Sequence, residues 1–155
     1  MPQPQPGDLA PDFTIAGETA PIALGDFAGR KLVLYFYPKD DTPGCTTESK
    51  DFSAHAADFA AADALVLGIS RDTAAKHAKF RAKHDLTIAL GADTDGAVTD
   101  SYGVWIEKSL YGRKYLGIER ATFLIGRDGR IARVWNKVKV ASHAAEVLAA
   151  AQNLA

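Results

Sequence analysis

Two runs of the chain, Lys31–Tyr37 (KLVLYFY) and Ala64–Ser70 (ALVLGIS), are apolar at nearly every position instead of every second one. A strand with one wet face alternates, so runs of this kind predict strands covered on both faces. Helical patterns follow each. From Cys45 to about Ala62, Phe52, Ala56, Phe59 and Ala60 recur at helical spacing, and a second helix is expected from about Thr73 to His84. Thr87–Leu90 reads as a short strand and Ala97–Tyr102 as a short helix. Ala121–Ile125 and Ile131–Trp135 flank a turn centred on Asp128-Gly129, a hairpin signal. Ser142 then stands as N-cap of an alanine-rich helix ending near Gln152. This order predicts an α/β chain whose central mixed sheet is flanked by helices. Such sheets place their chemistry beyond the carboxyl ends of the strands, which directs attention to the segment after Tyr37.

The chain has 155 residues, the length of one ordinary domain, and residues 1–155 are read as such. A domain of that size hides roughly 70% of its extended-chain surface and holds a core without staples. Met1 to Gly7 alternates proline and glutamine and reads as a flexible lead-in. Eighteen basic and nineteen acidic side chains leave a formal charge of −1, no footprint for nucleic acid or an anionic membrane. One cysteine makes no internal disulfide. No apolar run approaches the ~20 residues of a membrane helix. The start lacks the charged and apolar regions of a signal peptide, so the expected address is the cytoplasm.

Thr42 suits an N-cap, and Pro43 suits the first helical position, where its missing N–H would go unpaired anyway. Cys45 then falls in the first turn of its helix, where free N–H groups and the positive end of the helix dipole favour thiolate over thiol. A lone cysteine in a cytosolic chain is more often an inert buried hydrophobe. The strand–turn–helix setting reverses that preference here.

Pro38-Lys39-Asp40-Asp41-Thr42-Pro43-Gly44-Cys45 resembles the peroxiredoxin active-site signature, and the longer YFYPKDDTPGCTTE resembles that of the bacterioferritin-comigratory, or Q-type, group. GDLAPDFTI, YGVWIEKSLYGRKYLGIERATFLI and GRDGRIARVWNKVKV extend the resemblance over nearly the whole chain. It implies a thioredoxin-like fold with an N-terminal extension and a thiol peroxidase acting on hydrogen peroxide and organic hydroperoxides, without a cofactor. By the same resemblance Cys45 is the peroxide-attacking cysteine, and Thr42 supplies the hydroxyl that hydrogen-bonds the peroxide. Pro38 shields the pocket, and Arg120 joins thiolate and peroxide. Each role makes physical sense. Attack on an O–O bond moves charge from sulfur to a departing oxygen, and a fixed cation stabilises that charge without reorganising. Arginine stays charged and its fork holds two partners at once.

One feature of the group is missing. Its members keep a resolving cysteine either five positions after the first, where this chain has Lys50, or on the next helix, where the matching position is Arg81. The resemblance therefore implies a one-cysteine enzyme recycled by an external thiol: thioredoxin, glutaredoxin or glutathione. It would work as a monomer or weak dimer. The second reading is a redox sensor or relay that passes Cys45 oxidation to a protein partner. Retention of Pro38, Thr42 and Arg120 favours the enzyme, because a sensor needs only an accessible reactive thiol.

The remaining polar residues read as structural. Glu48 is taken as a helix-start charge, and Trp105 and Tyr37 as core or pocket wall. His55, His77, His84 and His143 lack metal-ligand spacing, and His77 with His84 reads as a surface pair on one helix face. Lys108–Tyr115 is basic and aromatic but carries no stacking-sheet motif for RNA.

Overall fold

The structure, a computed structural model, describes residues 2–155. An N-terminal ribbon of β1 (Thr14–Ile15) and β2 (Ile22–Ala23) leads through a single 3-10 turn into β3 (Lys31–Phe36). Then come α1 (Pro43–Ala54), α2 (Ala56–Ala61), β4 (Ala64–Ser70), α3 (Ala74–His84), β5 (Ala89–Ala92) and α4 (Ala97–Ser101). A hairpin of β6 (Trp105–Leu110) and β7 (Arg113–Ile118) precedes β8 (Ala121–Ile125), β9 (Ile131–Trp135) and α5 (His143–Asn153).

The central sheet runs β5-β4-β3-β8-β9. β4 lies parallel to both β3 and β5, whereas β8 is antiparallel to β3 and to β9. It is the mixed sheet expected, and both of its faces are covered. Along β3, Val33 and Tyr35 join the core beneath α1, α2, α3 and α5. Leu32, Leu34 and Phe36 point the other way, into a core with Phe13, Ile15, Val98, Tyr102 and Val104. That two-sided demand is why the strand is apolar throughout. Gly68 on β4 faces Tyr35 across the sheet, and a Cβ there would come within 2.5 Å of the Tyr35 ring. The ring takes that space. It stacks on Phe52 of α1 at 4.6 Å, and its hydroxyl meets Ser49 Oγ at 2.8 Å. These contacts set α1 against β3, so the start of the helix rises from the carboxyl end of the strand.

Two expected elements shift. The helix read from Cys45 to Ala62 is two helices, broken at His55. Thr87 packs against the chain just before the break: its hydroxyl donates to the Ser53 carbonyl and its N–H to Ser53 Oγ. Those bonds also keep Thr87 out of the sheet, so β5 begins at Ala89. Ser142 stands at the N-cap of α5, but its φ of 62° and uncapped side chain leave only its carbonyl to serve the helix, accepting from Glu146 N–H at 3.1 Å. Residues 4–10 run beside the start of β9: Pro4 is buried, and Gly7 N–H donates to the Ile131 carbonyl, whereas Met1 of the expected lead-in lies outside the described residues. No helix among the described residues is long and apolar enough to cross a membrane.

Candidate active site

The chain leaves β3 through Tyr37, turns at Pro38–Thr42, and enters α1 at Pro43. Asp41 has a φ of 60°, a left-handed conformation that aspartate tolerates better than most residues. Thr42 occupies the N-cap with extended backbone, yet its side chain makes no cap bond. Its hydroxyl instead donates to the Lys39 carbonyl at 2.9 Å, tightening the turn on itself. The first-turn N–H groups of α1 thus have neither an intrahelical acceptor nor a side-chain cap.

Cys45 sits in that first turn, a free thiol only 1% exposed. Arg120 reaches it from the short link between β7 and β8, with Nη2 3.3 Å from Sγ. The guanidinium lies close over the helix start, because a Cβ on Gly44 would be 3.2 Å from Nη2. Its other arm, Nη1, donates to Glu48 Oε1 at 2.6 Å. One planar fork therefore spans sulfur and carboxylate. Burial opposes charge on the guanidinium, but Glu48 and then Cys45 reverse this and hold its pKa above the ordinary arginine value.

The Glu48 found here is not a solvated helix-start charge. Its side chain is 1% exposed, and Oε2 has no partner among the described residues. Burial pushes its pKa up to about 7, against the pull of Arg120. The sequence did carry a signal, because Cys45 and Glu48 are three apart and share a helix face. Lys108 on β6 completes the charged surroundings. Burial lowers its pKa first and Arg120 next, while Cys45 works the other way.

Pro38 is half-buried on the rim of a groove of about 330 Å³ that also borders Lys39, Trp105, Lys108, Leu116 and Ile118. Trp105 is a wall of this groove, with the Arg71 guanidinium 3.4 Å over its ring. Tyr37 is fully buried, and its hydroxyl donates to Asp40 Oδ1 at 2.6 Å.

Pro38, Thr42 and Cys45 come from one turn and one helix start; only Arg120 arrives from far along the chain. The reading of His77 and His84 as a surface pair does not hold. His77 is 1% exposed and bonded to Asp40, because α3 turns that face toward the strand ends, while His84 meets Asp41. His143 is buried against Thr122, and burial drops its pKa to about 4. Lys50 lies exposed on α1, and Arg81 is committed to Glu18 and to the Leu86 and Ile88 carbonyls. No cluster of three or more potential metal ligands occurs among the described residues.

Residues 6–134 match the AhpC/TSA family. Peroxiredoxin Bcp of Bacillus subtilis is 46% identical over 143 residues, covering 92% of this chain and 91% of that protein. Peroxiredoxin Bcp of Xanthomonas campestris is 50% identical over 138 residues, covering 89% and 86%. A solved Xanthomonas campestris Peroxiredoxin Q superposes with a TM-score of 0.86 at 45% identity, over 90% of this chain and 89% of that one. A cysteine-to-serine variant of Xylella fastidiosa PrxQ gives 0.91 at 38% identity, over 97% and 96%.

The chain belongs to the AhpC/TSA family, whose members share this thioredoxin-like fold. Within it the chain stands with the Bcp or Q peroxiredoxins, thiol-dependent peroxidases, and its one cysteine is Cys45.

Proposed function

We propose that the chain reduces hydrogen peroxide and organic hydroperoxides at Cys45 and is returned to the thiol by an external donor. The observation that carries the reading is the 3.3 Å contact between Arg120 Nη2 and Cys45 Sγ at the uncapped start of α1. The Cys45 thiolate attacks one peroxide oxygen and the O–O bond breaks. Sulfur loses two electrons to become sulfenic acid, and the departing oxygen takes a proton and leaves as water or alcohol. Arg120 stabilises the charge as it passes from sulfur to oxygen, and the free first-turn N–H groups act in the same sense. Thr42 holds the peroxide, since its hydroxyl both donates and accepts. Pro38 narrows access, and Glu48 fixes the guanidinium. The apolar wall of Trp105, Leu116 and Ile118 offers room for the organic group of a hydroperoxide. A structure of the Xanthomonas campestris bacterioferritin comigratory protein is reported in connection with its alkyl peroxide reduction activity, which agrees with this substrate class.

Regeneration takes two thiols. The first attacks the sulfenic acid, releases water and leaves a mixed disulfide on Cys45; the second displaces Cys45 and carries away the disulfide. Both come from outside, as thioredoxin, glutaredoxin with glutathione, or another small thiol, and residues 1–155 act together as one domain, a monomer or weak dimer. Steady-state peroxide consumption, run separately with thioredoxin and with glutathione–glutaredoxin, tests this. Turnover with at least one donor, abolished in Cys45→Ser, is expected. Failure of both donors, or turnover that survives Cys45→Ser, would overturn the proposal.

A further inference from the structure

Beneath the turn that carries Pro38 and Thr42 lies a polar network that the chemistry above does not use. His77 of α3 places Nδ1 2.6 Å from Asp40 Oδ2 and Nε2 2.9 Å from the Gly91 carbonyl oxygen. Asp40 Oδ1 accepts from the Tyr37 hydroxyl at 2.6 Å, and the Asp40 N–H donates to Asp72 Oδ2 at 2.8 Å. Asp72 is held in turn by Ser70 Oγ at 2.6 Å. The histidine side chain is 1% exposed and the aspartate 6%. A carbonyl can only accept, so Nε2 donates to Gly91, and Nδ1 faces the Asp40 carboxylate. A polar network this deep needs every partner in place to persist.

We infer that Asp40 and His77 are positioning residues for peroxide reduction: they lock the Pro38–Thr42 turn to α3 and to the end of β5. The inference rests on the function proposed above. Asp40 is the midpoint of that turn, gripped through both its side chain and its N–H, and the next residue adopts the left-handed conformation that swings the chain into α1. The Thr42 hydroxyl has no partner outside the turn, bonding only the Lys39 carbonyl within it, while the Thr42 carbonyl accepts from the Thr46 N–H of α1. Asp41 adds a second, exposed tie to the same helix through Lys83 and His84. Releasing Asp40 leaves Cys45 and Arg120 together but frees the hydroxyl and proline that must meet the substrate.

The test compares two reactions of the same sulfur. His77→Gln and the doubly neutral D40N/H77Q chain are reduced, and each is mixed with hydrogen peroxide and, separately, with iodoacetamide. Peroxide must be oriented by the turn, whereas alkylation needs only a reachable thiolate. The peroxide rate constant is expected to fall about 100-fold, the scale of an ångström misplacement at a reacting centre. The alkylation rate should change less than about twofold. A peroxide rate within about threefold of the unaltered chain would overturn the inference. So would equal falls in both reactions, the mark of a general structural role. The double variant leaves no buried charge unpaired and supplies the test if His77→Gln does not fold. An unaltered chain that fails to consume peroxide would bring down the functional proposal, and this inference with it; an active unaltered chain with an unaffected variant overturns only the inference.

Discussion

Arg120 holds a sulfur on one arm and a buried carboxylate on the other, and those two bonds fix where its charge sits. Lysine at this position keeps the charge but has one ammonium where the fork had two separate donors. Arg120→Lys should therefore lower the rate constant of the reduced chain with peroxide by about 100-fold, as for loss of one preset donor at a developing anion. Stopped-flow mixing would measure it, and an unchanged constant would take Arg120 out of the chemistry. Thr42→Val removes a hydroxyl that closes the turn and, in the proposed mechanism, meets the substrate. About a tenfold loss is expected from one hydrogen bond, with Thr42→Ser restoring most of it. At this scale Cys45 could be read from its strand–turn–helix setting, whereas the roles given to Pro38 and Thr42 came with the resemblance. Arg120 likewise comes only through resemblance, since nothing local marks it, and its partner Glu48 reads from the sequence as a helix-start charge. Whether a carboxylate faces water or a guanidinium depends on which long-range segment packs above it, and that is not a local property of the chain.

In the proposed mechanism the start of α1 does the electrostatic service, and its middle carries the departure from the group's cysteine pattern. Positions 45 and 50 of an intact helix point apart, and here Cys45 is buried while Lys50 is exposed. A disulfide needs Cα atoms within about 7 Å and Cβ atoms aimed together, so Lys50→Cys can resolve the sulfenic acid only by unwinding α1. Peroxide treatment of that variant should give an internal disulfide, seen as a loss of two hydrogens by mass, together with reduced helical circular dichroism. A disulfide formed with helicity intact would contradict this. Elements dominated by apolar demand, such as β3, β4 and β8, were legible from residue pattern. The β6–β7 hairpin was not, because Glu107, Ser109, Lys114 and Tyr115 face solvent and leave no core-facing alternation to read. The break at His55 was equally hidden, since no Pro or Gly marks it in the sequence.

Across the whole molecule, two buried groups give stability opposite dependences on pH. Glu48 has its pKa raised from 4.5 to about 7, so between those values the folded chain keeps a proton that the unfolded chain has released. Stability from this source falls by about 3 kcal/mol as pH rises through that window. His143 has its pKa lowered from 6.5 to about 4, so on acidification the unfolded chain takes up a proton first. Stability from this source is lost, by at most about 3 kcal/mol, as pH falls from 6.5 toward 4. The two largely cancel over the shared range. Urea midpoints taken through that range should be nearly flat for the unaltered chain, rise with pH in Glu48→Gln, and fall with pH in His143→Gln. Variants that keep the unaltered slope would show that neither group titrates as placed.

The most direct measurement is a single turnover: the reduced chain mixed with one equivalent of hydrogen peroxide and no thiol, then trapped with dimedone and weighed intact. One peroxide should disappear per chain and one dimedone adduct should appear on Cys45, with excess peroxide driving the untrapped chain onward to sulfinic acid and Cys45→Ser consuming none. Peroxide consumed while Cys45 remains a free thiol, or rapid and complete conversion to a Cys45-linked dimer, would contradict a one-cysteine site served by an outside donor.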